Sequence, residues 1–307
     1  MTEAIAVSGL TKTYGRFHAV DGVDLHIAEG EIVAFLGPNG AGKTTTVEIL
    51  EGFRPRTSGD VTVLGTDPAS GGQSWRRRLG IVLQESEPIP ELTAGETVDL
   101  YAGYFDTPRD RDEILSLVGL TDSINQRAGK LSGGQKRRLD LAIALVGDPD
   151  LIFLDEPTTG FDPSARRESW GMIEGLRELG RTVLLTTHYM DEAELLADRI
   201  VVIAGGRIVA RGTAAELRAQ SGLRPTLSWV PTEGAKMPGH LEVEMLDGRA
   251  TVSTDDVVTD TNRLTGWALA EDLDLADLRV SQPTLEDVYL ALTSAESAVN
   301  TERGAHG

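Results

Sequence analysis

A glycine-rich segment near the start of the chain, Gly37-Pro-Asn-Gly-Ala-Gly-Lys-Thr44, has the spacing G-x-x-x-x-G-K-[ST]. Glycines let backbone N–H groups close around phosphate oxygens, and the N-terminus of a following helix adds a favourable dipole. Such a segment binds nucleotide phosphates, with Lys43 on the β/γ-phosphates and the Thr44 hydroxyl on Mg²⁺. A strand-to-helix turn without a ligand is the alternative interpretation. The residues predicted to contact the nucleotide here are Gly37, Pro38, Asn39, Gly40, Ala41, Gly42, Lys43, Thr44 and Thr45.

Two adjacent carboxylates, Asp155 and Glu156, follow the apolar run Leu151-Ile-Phe-Leu154. A buried strand of this composition carries both to the carboxyl edge of a sheet, where open α/β folds bind their ligands. Asp155 is therefore predicted to be a Mg²⁺ ligand, and Glu156 to polarise a water molecule for attack on a γ-phosphate. An acidic strand end with no catalytic role is the alternative.

The segment Leu131-Ser-Gly-Gly-Gln135 precedes a predicted helix over residues 136–145. Ser132 is a favourable N-cap residue, and the free N–H groups of the first helical turn would form an anion site. The residues by themselves leave two interpretations open, a capped helix start and a phosphate contact.

The elements that must position these residues alternate between short apolar strands and helices. This pattern predicts an α/β core with a mostly parallel sheet, and residues 85–145, which have helical periodicity, are predicted to be a helical insertion. Strands are predicted at residues 5–7, 20–27, 32–36, 61–64, 80–83, 151–154, 183–187 and 200–203, and helices at 44–50, 136–145, 164–179 and 190–197.

Residues 221–307 show short alternating runs and a last helix after a linker, which predicts a small α+β accessory domain. Residues 1–220 are then predicted to form the first domain. The predicted parts of the second domain are a linker at 221–225, strand-like runs at 241–245 and 249–253, a last helix at 284–292 with Thr284 and Asp287 in a capping pattern, and a frayed end from about residue 294.

Composition excludes several classes of function. Lys and Arg number 29 against 48 Asp and Glu, a net charge of −19, and so acidic a chain repels nucleic-acid backbones. The chain has no cysteine, which excludes disulfides, thiolate metal sites and a cysteine nucleophile. It also lacks a run of about 20 apolar residues and the pattern of a signal peptide. We therefore expect a cytoplasmic protein that does not bind nucleic acid.

The order of the motifs, a phosphate loop, then Leu-Ser-Gly-Gly-Gln, then Leu-Asp-Glu-Pro, resembles the ATP-binding subunits of ABC transporters over residues 4–220. The resemblance implies a P-loop NTPase (ABC ATPase) core with a mixed sheet and the cofactors ATP and Mg²⁺. It also implies roles for four further residues: Tyr14 stacks on adenine, Gln84 contacts Mg²⁺ and the attacking water, His188 touches the γ-phosphate, and Asp162 senses the opposite subunit.

The resemblance further implies a mechanism shared between two chains. In the family two subunits face head to tail, so that the Leu131–Gln135 segment of one chain covers ATP bound at Lys43 of the other. Activity then requires a dimer, and a homodimer would have two complete sites. The residues implied to cover the ATP are Ser132, Gly133, Gly134 and Gln135, and those implied to act in catalysis are Glu156, His188, Gln84 and Lys43.

Two more segments, Thr187-His-Tyr-Met-Asp-Glu-Ala193 and 283–293, are similar to the daunorubicin/doxorubicin resistance ATPases, which are ABC exporters. This similarity implies a subunit that energises a separate integral-membrane permease, from the cytoplasmic face of the membrane, for efflux of a hydrophobic drug-like compound or lipid. The alternative is a soluble ABC ATPase that acts on a macromolecular partner. A phosphate-loop kinase would leave Leu131–Gln135 unexplained.

Overall fold

The computed structural model describes residues 2–83, 88–232 and 236–291. The chain divides into two compact units, Met1–Ala214 and Ala215–Gly307. The division falls at the start of the helix Ala214–Ser221, whereas the sequence suggested a boundary at the end of this helix.

The first unit contains two sheets. Its strands are β1 (Glu3–Tyr14), β2 (Phe17–Ala28), β3 (Ile32–Leu36), β4 (Ser58–Val63), β5 (Leu79–Val82), β6 (Leu151–Asp155), β7 (Thr182–Thr187), β8 (Arg199–Ala204) and β9 (Arg207–Gly212). Six of them form a sheet in the order β5-β6-β7-β3-β8-β9, and three form a sheet in the order β2-β1-β4. The six-stranded sheet is parallel except for β9, which runs antiparallel to β8. The predicted α/β core with a mixed sheet is confirmed.

The central strands are apolar because both faces of this sheet are covered. All five residues of β3 and all six of β7 are buried. Parallel pairing places Leu36 beside Thr187 and Asp155 beside Thr186. The carboxyl ends of β3, β6 and β7 therefore meet at one edge, and the segments that follow them are brought together.

The sequence did not separate the second, antiparallel sheet from the first. Strand β1 is 12 residues long and pairs with both β2 and β4. Its buried side chains, among them Ile5 and Val7, share one apolar cluster with Phe35 of β3 and Leu184 of β7. The two sheets thus pack on each other around a common core.

Helices cover the parallel sheet and form the predicted insertion. They are α1 (Lys43–Leu50), α2 (Gln73–Arg76), α3 (Ala94–Ala102), α4 (Arg111–Leu117), α5 (Gly133–Leu145), α6 (Pro163–Glu178) and α7 (Met190–Leu196). The described part of the insertion contains α3, α4 and α5 and no strand of either sheet. Leu100 and Tyr104, which fit the helical periodicity, are exposed and do not join the core.

The second unit is a small α+β domain. Helix α8 (Ala214–Ser221) leads into β10 (Thr226–Val230), β11 (Glu244–Leu246), β12 (Arg249–Ser253), α9 (Val257–Ala270), β13 (Ala276–Ser281) and a helix α10 at residues 285–291. The four strands are antiparallel in the order β11-β12-β10-β13. Their inner face carries Leu227, Trp229, Ala250 and Val252, which pack with Leu264 of α9.

The last helix of this unit begins as predicted, whereas one predicted strand is displaced. The capping pattern of the last helix is present, because Asp287 N–H donates to Thr284 Oγ1 (3.1 Å) and Thr284 N–H donates to Asp287 Oδ2 (2.9 Å). The strand expected over 241–245 is displaced, since only Glu244–Leu246 pairs with β12. Leu241 and Val243 instead pack on the apolar cluster from outside the sheet. The frayed end expected from about residue 294 lies outside the described residues.

In the described part of the chain, the structure contains no helix of sufficient length and apolar character to cross a membrane.

A buried carboxylate connects three segments of the first unit. Glu192 in α7 has no exposed surface, and its Oε1 accepts hydrogen bonds from Thr158 Oγ1 (2.8 Å) and Trp170 Nε1 (3.2 Å). Burial raises the pKa of the Glu192 carboxyl, and the hydrogen bonds to Thr158 and Trp170 offset this only in part. The folded protein therefore holds a proton on this group at a pH at which the unfolded chain has released it.

We predict that Glu192 makes the protein less stable as pH rises. Between the ordinary glutamate pKa and the raised folded value, the unfolded state binds fewer protons, so the free energy of unfolding falls by up to about 1.4 kcal/mol per pH unit. Glu192→Gln keeps the acceptor for Thr158 and removes this slope. Urea unfolding of both proteins from pH 4 to pH 8 measures the difference, with Glu174→Gln, an exposed position of α6, as control. Parallel stability–pH curves for wild type and Glu192→Gln would contradict the prediction.

Candidate functional site

The glycine-rich loop connects β3 to α1 and has room only for glycine at two positions. A Cβ at Gly37 would lie 2.4 Å from the Ile203 carbonyl oxygen, and one at Gly42 would lie 2.4 Å from the Ala19 carbonyl oxygen. Gly42 also has φ +104°, a conformation that disfavours any other residue. The loop is therefore held tightly against β2 and β8 while its outer side stays open.

Lys43 is the first residue of α1 and lies under the loop. Its side chain is buried, and Nζ donates to the carbonyl oxygens of Gly37 (2.7 Å) and Pro38 (3.2 Å). Burial lowers the pKa of Lys43, whereas the nearby carboxylates of Glu156 and Asp155 act in the opposite direction. Among the described residues no side chain caps α1, so its first N–H groups are available to an anion.

Asp155 and Glu156 leave the end of β6 as predicted. Thr186 of the neighbouring β7 donates its hydroxyl to Asp155 Oδ1, and its Oγ1 and carbonyl oxygen accept from Glu156 N–H (3.0 and 3.1 Å). Glu156 has φ +45°, in the left-handed region. Such a conformation costs about 1–3 kcal/mol in a residue with a side chain and persists where surrounding contacts determine it.

The Glu156 carboxylate faces His188. Glu156 Oε1 lies 3.4 Å from His188 Nδ1, and Oε2 accepts a hydrogen bond from Thr159 Oγ1 (3.0 Å). The glutamate side chain is 12% exposed and the histidine side chain 40% exposed, so both reach a surface that water can enter. His188 follows β7 and its ring packs on Tyr189, 4.1 Å between centroids. A carboxylate and an imidazole are thus held side by side at the sheet edge.

These groups line one open cleft of about 790 Å³, a volume in the range of small-molecule sites. Tyr14, at the end of β1, forms one wall, and Arg54 donates to its hydroxyl. The full lining is Tyr14, Phe17, Ala19, Pro38, Asn39, Gly40, Gly42, Lys43, Thr44, Thr45, Glu156, Thr159 and His188. We call this the phosphate-loop cleft.

The Leu131–Gln135 segment forms the start of α5. Ser132 is the N-cap, with Gln135 N–H donating to Ser132 Oγ (3.2 Å) and Ser132 N–H donating to Gln135 Oε1 (2.9 Å). The Gln135 amide also donates to Ser123 Oγ (3.1 Å). The predicted helix cap is confirmed, and the Gln135 side chain folds back on the helix end.

A second cleft, of about 1100 Å³, lies beside this helix start. We call it the signature cleft. It is lined by Ser132, Gly133 and Gly134, and by Asp162, whose Oδ1 caps α6 by accepting from the N–H groups of Ser164 (2.8 Å) and Ala165 (3.0 Å). Thr159 lines both clefts.

The structure brings the predicted residues together as two groups. The phosphate-loop cleft contains most of the loop with Tyr14, Glu156 and His188, whereas Gly37 and Ala41 are buried behind it. Ser132, Gly133, Gly134 and Asp162 lie in the other cleft, whereas Gln135 and Asp155 are in the lining of neither cleft. Gln84 lies outside the described residues. Sequence reasoning missed Phe17 and Thr159, whose residue types carry no motif.

Two family models match parts of this chain. The family model described as ABC transporter matches residues 20–159. A bacterial imidazolonepropionase-like composite-domain model matches only residues 201–221, a segment too short to form a domain.

Among curated relatives, the daunorubicin resistance ATP-binding protein DrrA3 of Streptomyces coeruleorubidus is 39% identical over 96% of this chain and 98% of its own length. The daunorubicin/doxorubicin resistance ATP-binding protein DrrA of Streptomyces peucetius is 38% identical over 99% of this chain and 98% of its own. The Nod factor export ATP-binding protein I of Rhizobium etli is 40% identical over 70% of this chain and 69% of its own.

Solved structures agree with this result. An ATP-binding subunit of an ABC transporter has a TM-score of 0.64 and 27% identity, covering 71% of this chain and 93% of that one. The ATP-binding cassette MJ0796, in a dimeric post-hydrolysis state bound to ADP and Pi, has a TM-score of 0.61 and 29% identity, covering 68% of this chain and 98% of that one. The chain therefore belongs to the ABC transporter family, as an ATP-binding subunit that hydrolyses ATP.

Proposed function

We propose that the chain works as one half of a dimer in which each ATP lies between the phosphate-loop cleft of one chain and the signature cleft of the other. The observation that supports this most directly is the separation of the two clefts within one chain. Both carry features of anion sites, the uncapped start of α1 with Lys43 and the glycine start of α5. A head-to-tail pair would unite them twice.

Glu156 is the general base in this proposal. It takes a proton from water as the water oxygen bonds to the γ-phosphorus and the bond from that phosphorus to the β-phosphate oxygen breaks, giving ADP and inorganic phosphate. His188 and Lys43 face the negative charge that develops on the transferred group. Tyr14 stacks on adenine, Gln84 orients the attacking water, and Asp162 senses the partner chain.

The donor set fits one Mg²⁺ ion. The Thr44 hydroxyl and the Asp155 carboxylate are hard oxygen ligands, and Mg²⁺ in nucleotide sites is held by one or two carboxylates together with the phosphates and water. We assign the ion to Thr44, Asp155 and Gln84, where it would neutralise phosphate charge.

We predict that Glu156→Gln binds ATP and dimerises but hydrolyses ATP about 10²-fold more slowly or worse, because the amide keeps the shape and loses the base. Phosphate release measures turnover, and size-exclusion chromatography with MgATP measures dimerisation. Glu178→Gln, an exposed position of α6, is the matched control. Wild-type turnover in Glu156→Gln would exclude Glu156 as the base.

The proposed ATP site shared between two chains leads to a second prediction. It can be tested with introduced cysteines because the chain has none of its own. In the Glu156→Gln background, Asn39→Cys combined with Gly133→Cys should form a disulfide between chains when MgATP is added. The product would migrate as a dimer of the 32.9 kDa chain. A Cβ at Gly133 meets no atom within 4 Å, so the change is accommodated.

The control pairs Asn39→Cys with Glu178→Cys, which lies in α6 away from both clefts. No covalent dimer is expected from this pair, or from either single variant. A disulfide that forms within one chain, or equally well without nucleotide, would contradict the shared site.

The transport role rests on the relatives. Those named for daunorubicin resistance match 96–99% of this chain, whereas the Nod factor export protein matches 70%. We therefore propose that residues 1–220 are the ATP-binding domain, that 221–307 are an accessory domain of the drug-resistance type, and that the chain energises a separate permease for efflux of a hydrophobic drug-like compound or lipid.

The permease is proposed to dock on the insertion beside Gln84. Exposed apolar side chains surround this segment in the described residues, namely Leu83, Ile89, Leu100, Tyr101 and Tyr104. Such a group of exposed apolar residues favours a protein contact. Docking there would hold the chain peripherally at the cytoplasmic face of the membrane.

We predict that a permease with about six membrane helices, encoded beside this gene, co-purifies with the chain and raises its ATPase rate. Crosslinks from the permease should map to residues 83–105. DNA and ribosomes serve as controls and should leave the rate unchanged, because the acidic chain repels nucleic acid. Crosslinks confined to residues 221–307 would exclude this docking site, and stimulation by ribosomes alone would favour a non-transport ATPase.

A further inference from the structure

Arg137 joins three segments of the first unit through their backbones. It lies in α5, two residues after Gln135, and its guanidinium donates to carbonyl oxygens of Leu83, Asp155 (2.9 Å), Glu156 (3.3 Å) and Pro157 (3.4 Å). Leu83 directly precedes Gln84, and the other three residues form the end of β6 and the start of the next loop. One side chain therefore connects α5, which we call the signature helix, with the segment before Gln84 and with the end of β6.

Arg137 supplies donors to carbonyl groups at the ends of two strands, and the Glu156 carbonyl oxygen also accepts from Thr159 N–H (3.2 Å). Parallel strands β5 and β6 end here, and beyond their last paired residues, Val82 and Leu154, the ladder supplies no further hydrogen bonds. A buried carbonyl without a donor costs about 1–3 kcal/mol. Arginine suits this place because its planar fork carries five donors and remains protonated, whereas lysine has a single ammonium group.

Arg137 is half-buried and lines the signature cleft. Burial lowers the pKa of Arg137, and the carboxylates of Asp140 and Asp155 counteract this effect. Asp140, on the next turn of α5, is itself buried. A charge in such a place is stabilised by its hydrogen bonds as well as by water.

Arg137 also acts on the strained residue of the site. The φ of +45° at Glu156 is held from the β7 side, where Thr186 accepts from its N–H. On the other side, its carbonyl oxygen accepts from Arg137 of α5 (3.3 Å) and from Thr159 N–H of the following loop (3.2 Å). The peptide units on either side of the Glu156 Cα are thus fixed by different elements. A shift of α5 would move one of these supports.

We propose that Arg137 is a positioning residue that sets the Glu156 carboxylate for hydrolysis and couples its position to the signature helix. The inference rests on the proposed role of Glu156 as base. Helix α5 begins in the signature cleft. A movement of α5 when it contacts ATP bound to the partner chain would therefore be transmitted through Arg137 to Glu156 of the same chain. Nucleotide binding at Lys43 does not use this side chain.

The test uses the full chain with Arg137→Met, which removes the donors, and Arg137→Lys, which keeps the charge. Arg137→Met is expected to lower kcat by about 10²-fold with the KM for ATP nearly unchanged, since misplacing a catalytic group costs this much without affecting binding. In the Glu156→Gln background, Arg137→Met should leave MgATP-driven dimerisation intact. Arg137→Lys should recover part of the lost kcat.

Arg181→Met is the matched control, because Arg181 donates to the Pro149 carbonyl oxygen (3.0 Å) at the opposite end of β6. Arg181→Met should leave kcat within about twofold of wild type, while lowering the Tm about as much as Arg137→Met does. A kcat within twofold of wild type for Arg137→Met would overturn the inference. Joint loss of kcat and dimerisation, with no recovery in Arg137→Lys, would also overturn it, since the arginine would then only hold the fold. Full turnover in Glu156→Gln alone would instead refute the proposed base.

Discussion

The parallel pairing of β3, β6 and β7 is the constraint on which the rest of the site depends. Each strand ends at the same edge, so the loop after Leu36, the carboxylates after Leu154 and the histidine after Thr187 are neighbours without any direct link in sequence. The apolar composition of these strands accounts for their burial on both faces. Because a parallel ladder is stiff, small polar groups such as Thr186 can then orient Asp155 and Glu156.

Charge imposes a second requirement on this edge. A chain with a net charge of −19 must bind a polyanion, so the positive potential has to be local. Lys43 supplies it from under the loop, where burial depresses its pKa and the carboxylates of Glu156 and Asp155 counteract the depression. The same carboxylates to which we assign the chemistry thus help to keep the lysine charged, and the N-terminus of α1 adds backbone dipoles that no pH change removes.

The sequence was informative wherever one residue type is required by geometry or chemistry. Gly37 and Gly42 tolerate no side chain, Ser132 caps a helix, and the run before Asp155 can only be a buried strand. Arg137 could not be found in this way, because it binds backbone carbonyl groups that every residue possesses and its partners leave no pattern. Thr159 lies in a loop and Phe17 at the start of β2, and neither residue type belongs to a motif. The displaced strand β11 shows a further limit, since alternating runs do not determine which residues pair.

Electrostatic repulsion constrains the proposed dimer more strongly in an acidic chain than it would in a neutral one. Two chains that each carry −19 repel each other, and salt confines this repulsion to about 8 Å at physiological ionic strength, so only short-range attraction can hold them together. The start of α5 offers such an attraction to phosphate, because glycines at 133 and 134 carry no side chain over their own N–H groups, whereas the N–H of Gln135 is bonded to Ser132 Oγ. Nucleotide phosphates held at Lys43 are the complementary charge. In the proposed dimer, association of the two ATP-binding units would therefore depend on bound nucleotide, and loss of the γ-phosphate would remove part of what holds them together.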